Sequence, residues 1–393
     1  MNIGNKYLVE VIVFLSYVLF AMAWVGGTAS MNQIMNSMNI NSLASASFIS
    51  GAVTLAKIVG TFIAAWLALK CGLKYAFFIS GLLIAFGLLT PLAPNYELLL
   101  ISRFLMGLGG AFMIVYFNPI VMQWFPSEQR STINGLNAVA FNVGTAIILW
   151  FMADINALTG AWESSLITFS LASILLCIAW LFVEVESPKT SSNETSATKN
   201  NGYVYLDGFK DRFNWVYALT YSGILAFYIC LFTFYPKAGI SQSKWVIGFG
   251  IIGTLAGIIY SKKITKRIPV IRWSGLIIPL CILGLSFVQW SWLQTLCAIL
   301  LGFFIFFPIT ALVTIPHELT DMSGQRITVI FSLFYSVSYL LATVVLWLFG
   351  KLVDVYQGDF TASFIMIALT SSTFFLGSFF LPETDKQSII NKV

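Results

Sequence analysis

Across 393 residues the chain is 58% hydrophobic and only 9% charged, with a formal net charge of +5 and a mean hydropathy of +0.87. Soluble globular domains carry about a quarter of their residues as charged side chains, so a water-soluble domain is excluded and an integral membrane protein is implied. The five cysteines, Cys71, Cys177, Cys230, Cys281 and Cys297, lie scattered without a C-x-x-C pair, which argues against a disulfide or metal framework and for a role as small apolar fillers.

Taken in chain order, apolar stretches long enough to cross a bilayer fall at about 8–26, 44–69, 75–93, 98–122, 132–152, 164–184, 214–235, 244–261, 270–290, 293–315, 327–349 and 361–381. They are helical in length, and the segments of about ten residues with alternating polarity that mark a membrane barrel are missing. The expected fold is an all-α membrane protein of twelve transmembrane helices in two pseudo-symmetric six-helix bundles, 1–185 and 213–393, joined by a cytoplasmic linker at 186–212.

In the first span, Lys6 followed by an apolar run and Ala21-Met-Ala23 resembles a signal peptide. Glu10 interrupts that run, however, and its removal would leave eleven spans and an odd topology. Tyr17 and Trp24, seven apart, share one face of this span. The second span holds the most informative pattern: Ser47, Ser50, Thr54, Lys57 and Thr61 recur at spacings of three and four and form one polar stripe. Lys57 lies roughly 20 Å from either end of that span, beyond the reach of a lysine stem of about 6 Å in a hydrocarbon slab about 30 Å thick. It must face a protein-lined or water-filled interior, which makes it a functional candidate.

In the fourth span, Arg103 sits about two turns below the outer end and precedes Gly107, Gly109 and Gly110, and the fifth span carries Asn142. The interval from Glu186 to about Arg212 is rich in Ser, Thr and Asn and is expected to be a flexible linker. Its Asn193-Glu-Thr195 sequon is accidental if this loop is cytoplasmic. In the seventh span Tyr217, Tyr221, Tyr228 and Tyr235 recur at spacings of four, seven and seven, and Ser332, Tyr335, Tyr339 and Thr343 form a similar face on the eleventh. Such tyrosines either pack helices near the interfaces or line a cavity. Thr310, Thr314 and the single histidine, His317, share a face of the tenth span, where His317 is either solvated or a proton carrier.

Basic residues concentrate on one side, at Lys6, Lys70 and Lys74, Arg130, the 186–212 loop, Lys262 to Arg272, Arg326 and the C-terminal tail, against Lys237, Lys244 and Lys351 on the other. The positive-inside rule therefore places both termini in the cytoplasm. A repeat accompanies this symmetry. Gly107 and Gly302 are 195 residues apart, and Arg130 and Arg326, which each end a Pro-containing turn, are 196 apart.

At these turns the sequence resembles the major facilitator superfamily. Members carry glycine-x-x-x-aspartate-arginine-x-glycine-arginine-arginine/lysine between the second and third spans. Here Lys70, Gly72 and Lys74 are kept, while Ala65 replaces the first glycine and Leu69 the aspartate. That acid helps latch the cytoplasmic side in the family, and its absence removes the latch's charge. Arg103-Phe-Leu-Met-Gly107-Leu-Gly109 is similar to the family's fourth-span pattern, and Leu381-Pro-Glu383-Thr to its common endings. The fifth span lacks the glycine-proline pair that marks the family's drug/proton antiporters. The resemblance implies that Arg103 braces a helix or takes part in proton coupling, and that Lys70, Gly72, Lys74 and Arg130 belong to conformational gating.

Around Lys57 and Arg103 no acid lies deep enough in the sequence pattern to pair with either: Glu10 is near the cytoplasmic end, and Glu97, Asp154 and Glu163 are at the outer ends. Unpaired cations in a dry interior are costly unless an anion or water compensates. The expected function is secondary transport by alternating access, importing a small organic anion or zwitterion of carboxylate or amino-acid type together with protons. Lys57, Arg103, Tyr17, Trp24, Asn142, Tyr221, Tyr228, Tyr335 and Tyr339 are the candidate substrate contacts. An exporter of drugs or siderophores and a transporter-like sensor are the alternatives. No metal cluster, phosphate-cradling loop or activated nucleophile is visible, so neither an enzyme nor an ATP-driven pump is expected, and no cofactor. The chain is expected to work as a monomer in the inner (plasma) membrane, with lipid and the solute as partners and no nucleic acid.

Overall fold

The computed structural model describes residues 5–184, 205–264, 266–320, 322 and 324–384. Residues 186–204 of the expected linker, with the Asn193-Glu-Thr195 sequon, lie outside the described residues, as do Asp321 and the two chain ends.

The first half comprises α1 (Lys6–Ala29), α2 (Met31–Ser37), α3 (Leu43–Ala46), α4 (Phe48–Ala85), α5 (Tyr96–Trp124), α6 (Ser127–Thr159) and α7 (Trp162–Leu181). The second comprises α8 (Tyr205–Lys210), α9 (Arg212–Phe234), α10 (Ser243–Lys263), α11 (Ile268–Phe287), α12 (Ser291–Phe306), α13 (Ile309–Glu318), α14 (Gly324–Val355), α15 (Thr361–Ser371) and α16 (Thr373–Gly377). Polar caps start several of these helices. Asn5 accepts from the Tyr7 amide, Asn95 from Leu98 and Asp211 from Phe213, satisfying backbone donors that a helix leaves unpaired at its start.

Among the described residues ten helical stretches are long and apolar enough to cross a membrane, and Thr361–Gly377 is a shorter apolar one. One of the ten, Phe48–Leu89, is two spans. At Gly72 the backbone takes φ 78° and ψ 160°, a conformation that interrupts the helix and that side-chain-bearing residues rarely adopt. The chain folds back there. Val53 and Ala56 contact α5 at Gly107, while Ser80 and Ile84 contact it at Gly109, so both arms of α4 stand at the same depth. The count is then twelve, in two six-helix bundles.

Pseudo-symmetry is visible in the close approaches. A side chain at Gly107 would collide with Val53, and one at Gly302 of α12 with Val246 of α10. The glycine pair in the sequence therefore serves one purpose in both halves, letting the fourth span of each bundle lie against the second. The bundles meet through α4 with α14, α6 with α10 and α1 with α9. The last part of the expected linker is ordered: in α8, Gly208 lies against Val329 and Leu333 and accepts from Asn214 Nδ2, while the Tyr205 ring meets Phe62 of the first bundle at 5.2 Å.

Both described ends of the chain lie on one face of the molecule, hereafter the terminal face. Lys6 there bonds Gln129 at the start of α6, and Glu383 accepts from the backbone of Arg267 at the start of α11. Leu175, Leu280 and Leu369 are strongly exposed on the flanks, as lipid-facing positions of a membrane protein are.

Candidate functional site

The polar stripe of α4 does not face lipid. Ser50 Oγ accepts from the Trp24 indole at 2.9 Å, the Thr54 and Thr343 hydroxyls are 2.6 Å apart, and Thr61 Oγ1 is 3.5 Å from Ser336 Oγ. Ser336 in turn donates to the Ile58 carbonyl. Helical periodicity thus turns the stripe toward α1 and the second bundle, and Lys57 lies in the middle of that seam.

Lys57 is 2% exposed. Its ammonium stands within 5.1 to 5.8 Å of five ring centroids, those of Tyr17, Phe20 and Trp24 on α1, Phe141 on α6 and Tyr339 on α14. It donates to Tyr17 Oη at 3.3 Å, and no ion pair with it occurs among the described residues. Each desolvated cation–ring contact contributes about 1–2 kcal/mol. The quadrupoles of the rings therefore offset part of the cost of holding an ammonium away from water, and leave its charge uncancelled.

A cavity of about 850 Å³ runs from this aromatic cage to the terminal face, between the bundles. At its inner end are Tyr17, Trp24, Lys57, Asn142, Tyr221, Tyr228, Tyr335 and Tyr339; toward the mouth are Asn118, Asn134, Thr310, Thr314, His317, Lys262 and Arg267. No aspartate or glutamate among the described residues lines it. Tyr228 donates to Asn142 Oδ1 at 2.6 Å, a bond from one bundle to the other. Tyr221 stacks on Phe334. Tyr217 and Tyr235, on the same α9 stripe, turn away: Tyr217 donates to the Leu312 carbonyl and Tyr235 lies 2.9 Å from Ser286.

Arg103 is not brought to this cavity. Its Nε donates to the Ile49 carbonyl at 2.9 Å, Nη1 to Ala23 at 2.9 Å, and Nη2 to Trp24 at 2.7 Å and to Thr28 Oγ1 at 3.3 Å. The planar donor fork joins α5 to α1 and α4, in a space that a side chain at Gly27 would fill. In this geometry Arg103 bonds helix to helix and is not among the residues that line the cavity.

The four gating candidates lie at the terminal face and make no hydrogen bond or ion pair with the second bundle among the described residues. The Lys70 ammonium is 4.9 Å from the Trp66 ring centroid, and the Lys74 carbonyl accepts from the Trp180 indole. Arg130 donates to the carbonyls of Phe125 and Met122 at the end of α5, and Gly72 makes the turn. Leu69, where the family's aspartate would stand, is 89% exposed.

At the other face the bundles are closed on each other. Asp354, at the end of α14, accepts from the backbone amides of Leu43 and Ala44 at 2.8 and 2.9 Å and from Ser42 Oγ at 2.8 Å. Trp24 meets Phe232 edge-to-face, and Lys237 Nζ lies 3.2 Å from Met35 Sδ. Partial burial pulls Lys237 below the usual lysine range, opposed by the charge of Asp354.

Sequence reasoning missed Phe20 and Phe141 of the cage, because a phenylalanine in an apolar helix carries no signal. It also missed Asn134 and Asn137 on the cavity wall, whose spacing of three in an apolar span was a detectable polar face.

The sequence profile of the Major Facilitator Superfamily matches residues 12–343. A Campylobacter jejuni protein, "Uncharacterized protein Cj0987c", is 29% identical over 311 residues, which is 75% of this chain and 95% of that one. The hexuronate transporter of Bacillus subtilis is 26% identical over 196 residues, 45% of this chain and 46% of that protein. In fold, the inward-open conformation of the xylose transporter XylE from E. coli superposes with a TM-score of 0.76, covering 98% of both chains at 14% identity. On the profile match over most of its length, the chain belongs to the Major Facilitator Superfamily and is a multi-pass membrane transporter, not an enzyme.

Proposed function

We propose that this transporter takes up a small organic anion or zwitterion, of carboxylate or amino-acid type, together with protons, and that Lys57 is the counter-ion of the solute's anionic group. One observation carries the reading: a buried lysine nitrogen at the inner end of the cavity, held by rings and one phenol oxygen, with no carboxylate beside it among the described residues. A solute carboxylate entering the cage would supply the neutralising charge that the described chain does not, and in a dry site that pairing is strong. Lys57 and Lys262 line a cavity free of described acids, which raises the local concentration of anions. The similarity to a hexuronate transporter supports an acidic solute.

The remaining inner wall is aromatic and aliphatic, with Asn142 and the tyrosine hydroxyls as its polar points. It favours a compact acid with an apolar body over a heavily hydroxylated one, because each solute hydroxyl left without a partner would cost hydrogen bonds made in water. The terminal face is the cytoplasmic face of an inner membrane by the lysine and arginine asymmetry, so the described conformation is inward-facing. Alternating access then consists of rocking the two bundles about the seam of α4 with α14 and α1 with α9.

The test is uptake into proteoliposomes of labelled carboxylates, amino acids and nitrate-like anions at two pH values. Lys57→Ala is expected to lose uptake of every accepted solute, and Lys57→Arg to keep a reduced part of it. Transport by Lys57→Ala at the wild-type rate would rule out the counter-ion role.

A further inference from the structure

Asn142 of α6 is 2% exposed and only half satisfied. Its side-chain oxygen accepts from the Tyr228 hydroxyl of α9 at 2.6 Å, while its amide nitrogen has no hydrogen-bond partner among the described residues. Helical periodicity sets Asn134, Ala138 and Asn142 on one face of α6, and all three line the cavity. Gly144 lies against the Val18 carbonyl and draws α6 onto α1, which brings the Asn142 turn up to the cage. Phe141, its neighbour in sequence, is one of the five rings around Lys57, and the Tyr228 ring lies 6.1 Å from Phe141. The unpartnered amide nitrogen and the Lys57 nitrogen therefore belong to the same inner end of the cavity.

Buried polar groups are nearly always hydrogen-bonded, so a buried donor without a partner beside a cavity points to something the cavity receives. Polar groups around it are committed elsewhere. Thr145, one turn further along α6, donates to the Phe141 carbonyl, the Trp24 indole donates to Ser50, and the Tyr17 hydroxyl accepts from Lys57. Ile229, Ile305 and Phe306 on the facing helices have no side-chain acceptor. The bond from Tyr228 also fixes which end of the amide is free. With the oxygen held, Asn142 presents a donor to the cavity and not an acceptor.

We infer that Asn142 Nδ2 is the second donor to the solute's anionic group, beside Lys57, and that Tyr228 is a positioning residue that holds the amide in its donating orientation. The inference rests on the anion reading above and gives separate roles to two residues that the sequence placed together as solute contacts. A carboxylate accepts at both of its oxygens, so an ammonium and an amide N–H at one end of a cavity suit it. A primary amide of the same shape suits it less, because its NH2 end would meet a donor. The Tyr228 bond runs from one bundle to the other, so the donor is oriented by the arrangement of the bundles as well as by α6 itself.

The experiment uses the full chain, purified in detergent, and two probes of one shape, 3-phenylpropionate and 3-phenylpropionamide, with binding read by calorimetry. Wild type is expected to prefer the acid. Asn142→Leu should weaken binding of the acid roughly ten- to hundredfold, the loss of one hydrogen bond to a charged group, and leave binding of the amide nearly unchanged. Tyr228→Phe should weaken acid binding in the same sense, and the double variant should bind the acid no worse than Asn142→Leu alone. Losses that add in full would place Tyr228 on the solute and overturn its positioning role. Asn142→Leu that binds the acid as wild type does overturns the Asn142 assignment, and Lys57→Ala beside it shows whether the anion reading stands without it. A wild type with no preference for the acid overturns that reading itself. Melting without solute is the independent readout. Replacing both partners by apolar groups removes the bond and the unpaired donor together, so Tyr228→Phe/Asn142→Leu is expected to melt at or above wild type. A lower melting temperature would show that the Asn142 amide serves the fold, and would refute the assignment.

Discussion

Replacing Asp354 by asparagine is expected to release the closed face of the transporter. The carboxylate joins α14 of the second bundle to Ser42, Leu43 and Ala44 of the first through three hydrogen bonds of 2.8 to 2.9 Å. These contacts can exist only while the bundles are together at that face, so they stabilise one conformation of the cycle and not the other. A hydrogen bond to a charged acceptor contributes about 1.5–3 kcal/mol in a sheltered setting, but Asp354 is partly exposed and solvent screening removes some of that. Asparagine retains one acceptor oxygen and presents an amide donor to the other amides. A net loss of about 2 kcal/mol follows, and at about 1.4 kcal/mol per tenfold this shifts the equilibrium between the two conformations roughly thirtyfold. The assay is pulsed electron resonance between spin labels at Leu158 and Tyr356, exposed positions of the two bundles at that face, in a chain with its five cysteines replaced. The longer-distance population should grow in Asp354→Asn. A distance distribution identical to that of the parent would refute the clamp.

Two further substitutions test the scaffold. Arg103→Leu removes four buried hydrogen bonds of a charged donor that tie α5 to α1 and α4, which at about 1.5–3 kcal/mol each predicts a large fall in thermal stability in detergent; unchanged melting with lost solute binding would instead make Arg103 a ligand. Gly72→Ala forces a side chain into φ 78° and ψ 160°, a region nearly restricted to glycine, at a site with open space around it, so the cost is backbone strain alone, about 1–3 kcal/mol, read as a drop in melting temperature with the fold retained.

The twelve spans and the repeat were legible because a bilayer dictates the length of an apolar helix and because close helix contact dictates glycine. Lys57 was legible for the opposite reason, as a residue that the bilayer forbids unless the protein surrounds it. Where the sequence misled was in the partners. Arg103 and Lys57 look alike as midspan cations, yet one is saturated by backbone carbonyls of α1 and α4 and the other faces rings and a cavity. Carbonyl acceptors leave no mark in a sequence, since every residue has one. Likewise Tyr217 and Tyr221 share the α9 stripe, and only the rotation of α9 against α13 and α14 decides that the first is packed and the second reaches the cavity.

The same distinction bears on which way the carrier rests. At the terminal face the turn between the arms of α4 has Leu69 where an acid would tie the bundles, and the ion pairs described there, Arg267 with Glu318 and Arg326 with Asp211, both lie within the second bundle. At the other face Asp354 crosses between bundles and caps the start of α3. Among the described residues the carboxylate that ties one bundle to the other is Asp354, and its contacts stabilise the conformation open at the terminal face. On the proposed uptake of an anion, a solute arriving from the other side would contribute binding energy in the cage that offsets the clamp, and pairing with the Lys57 ammonium would be able to supply energy of that size.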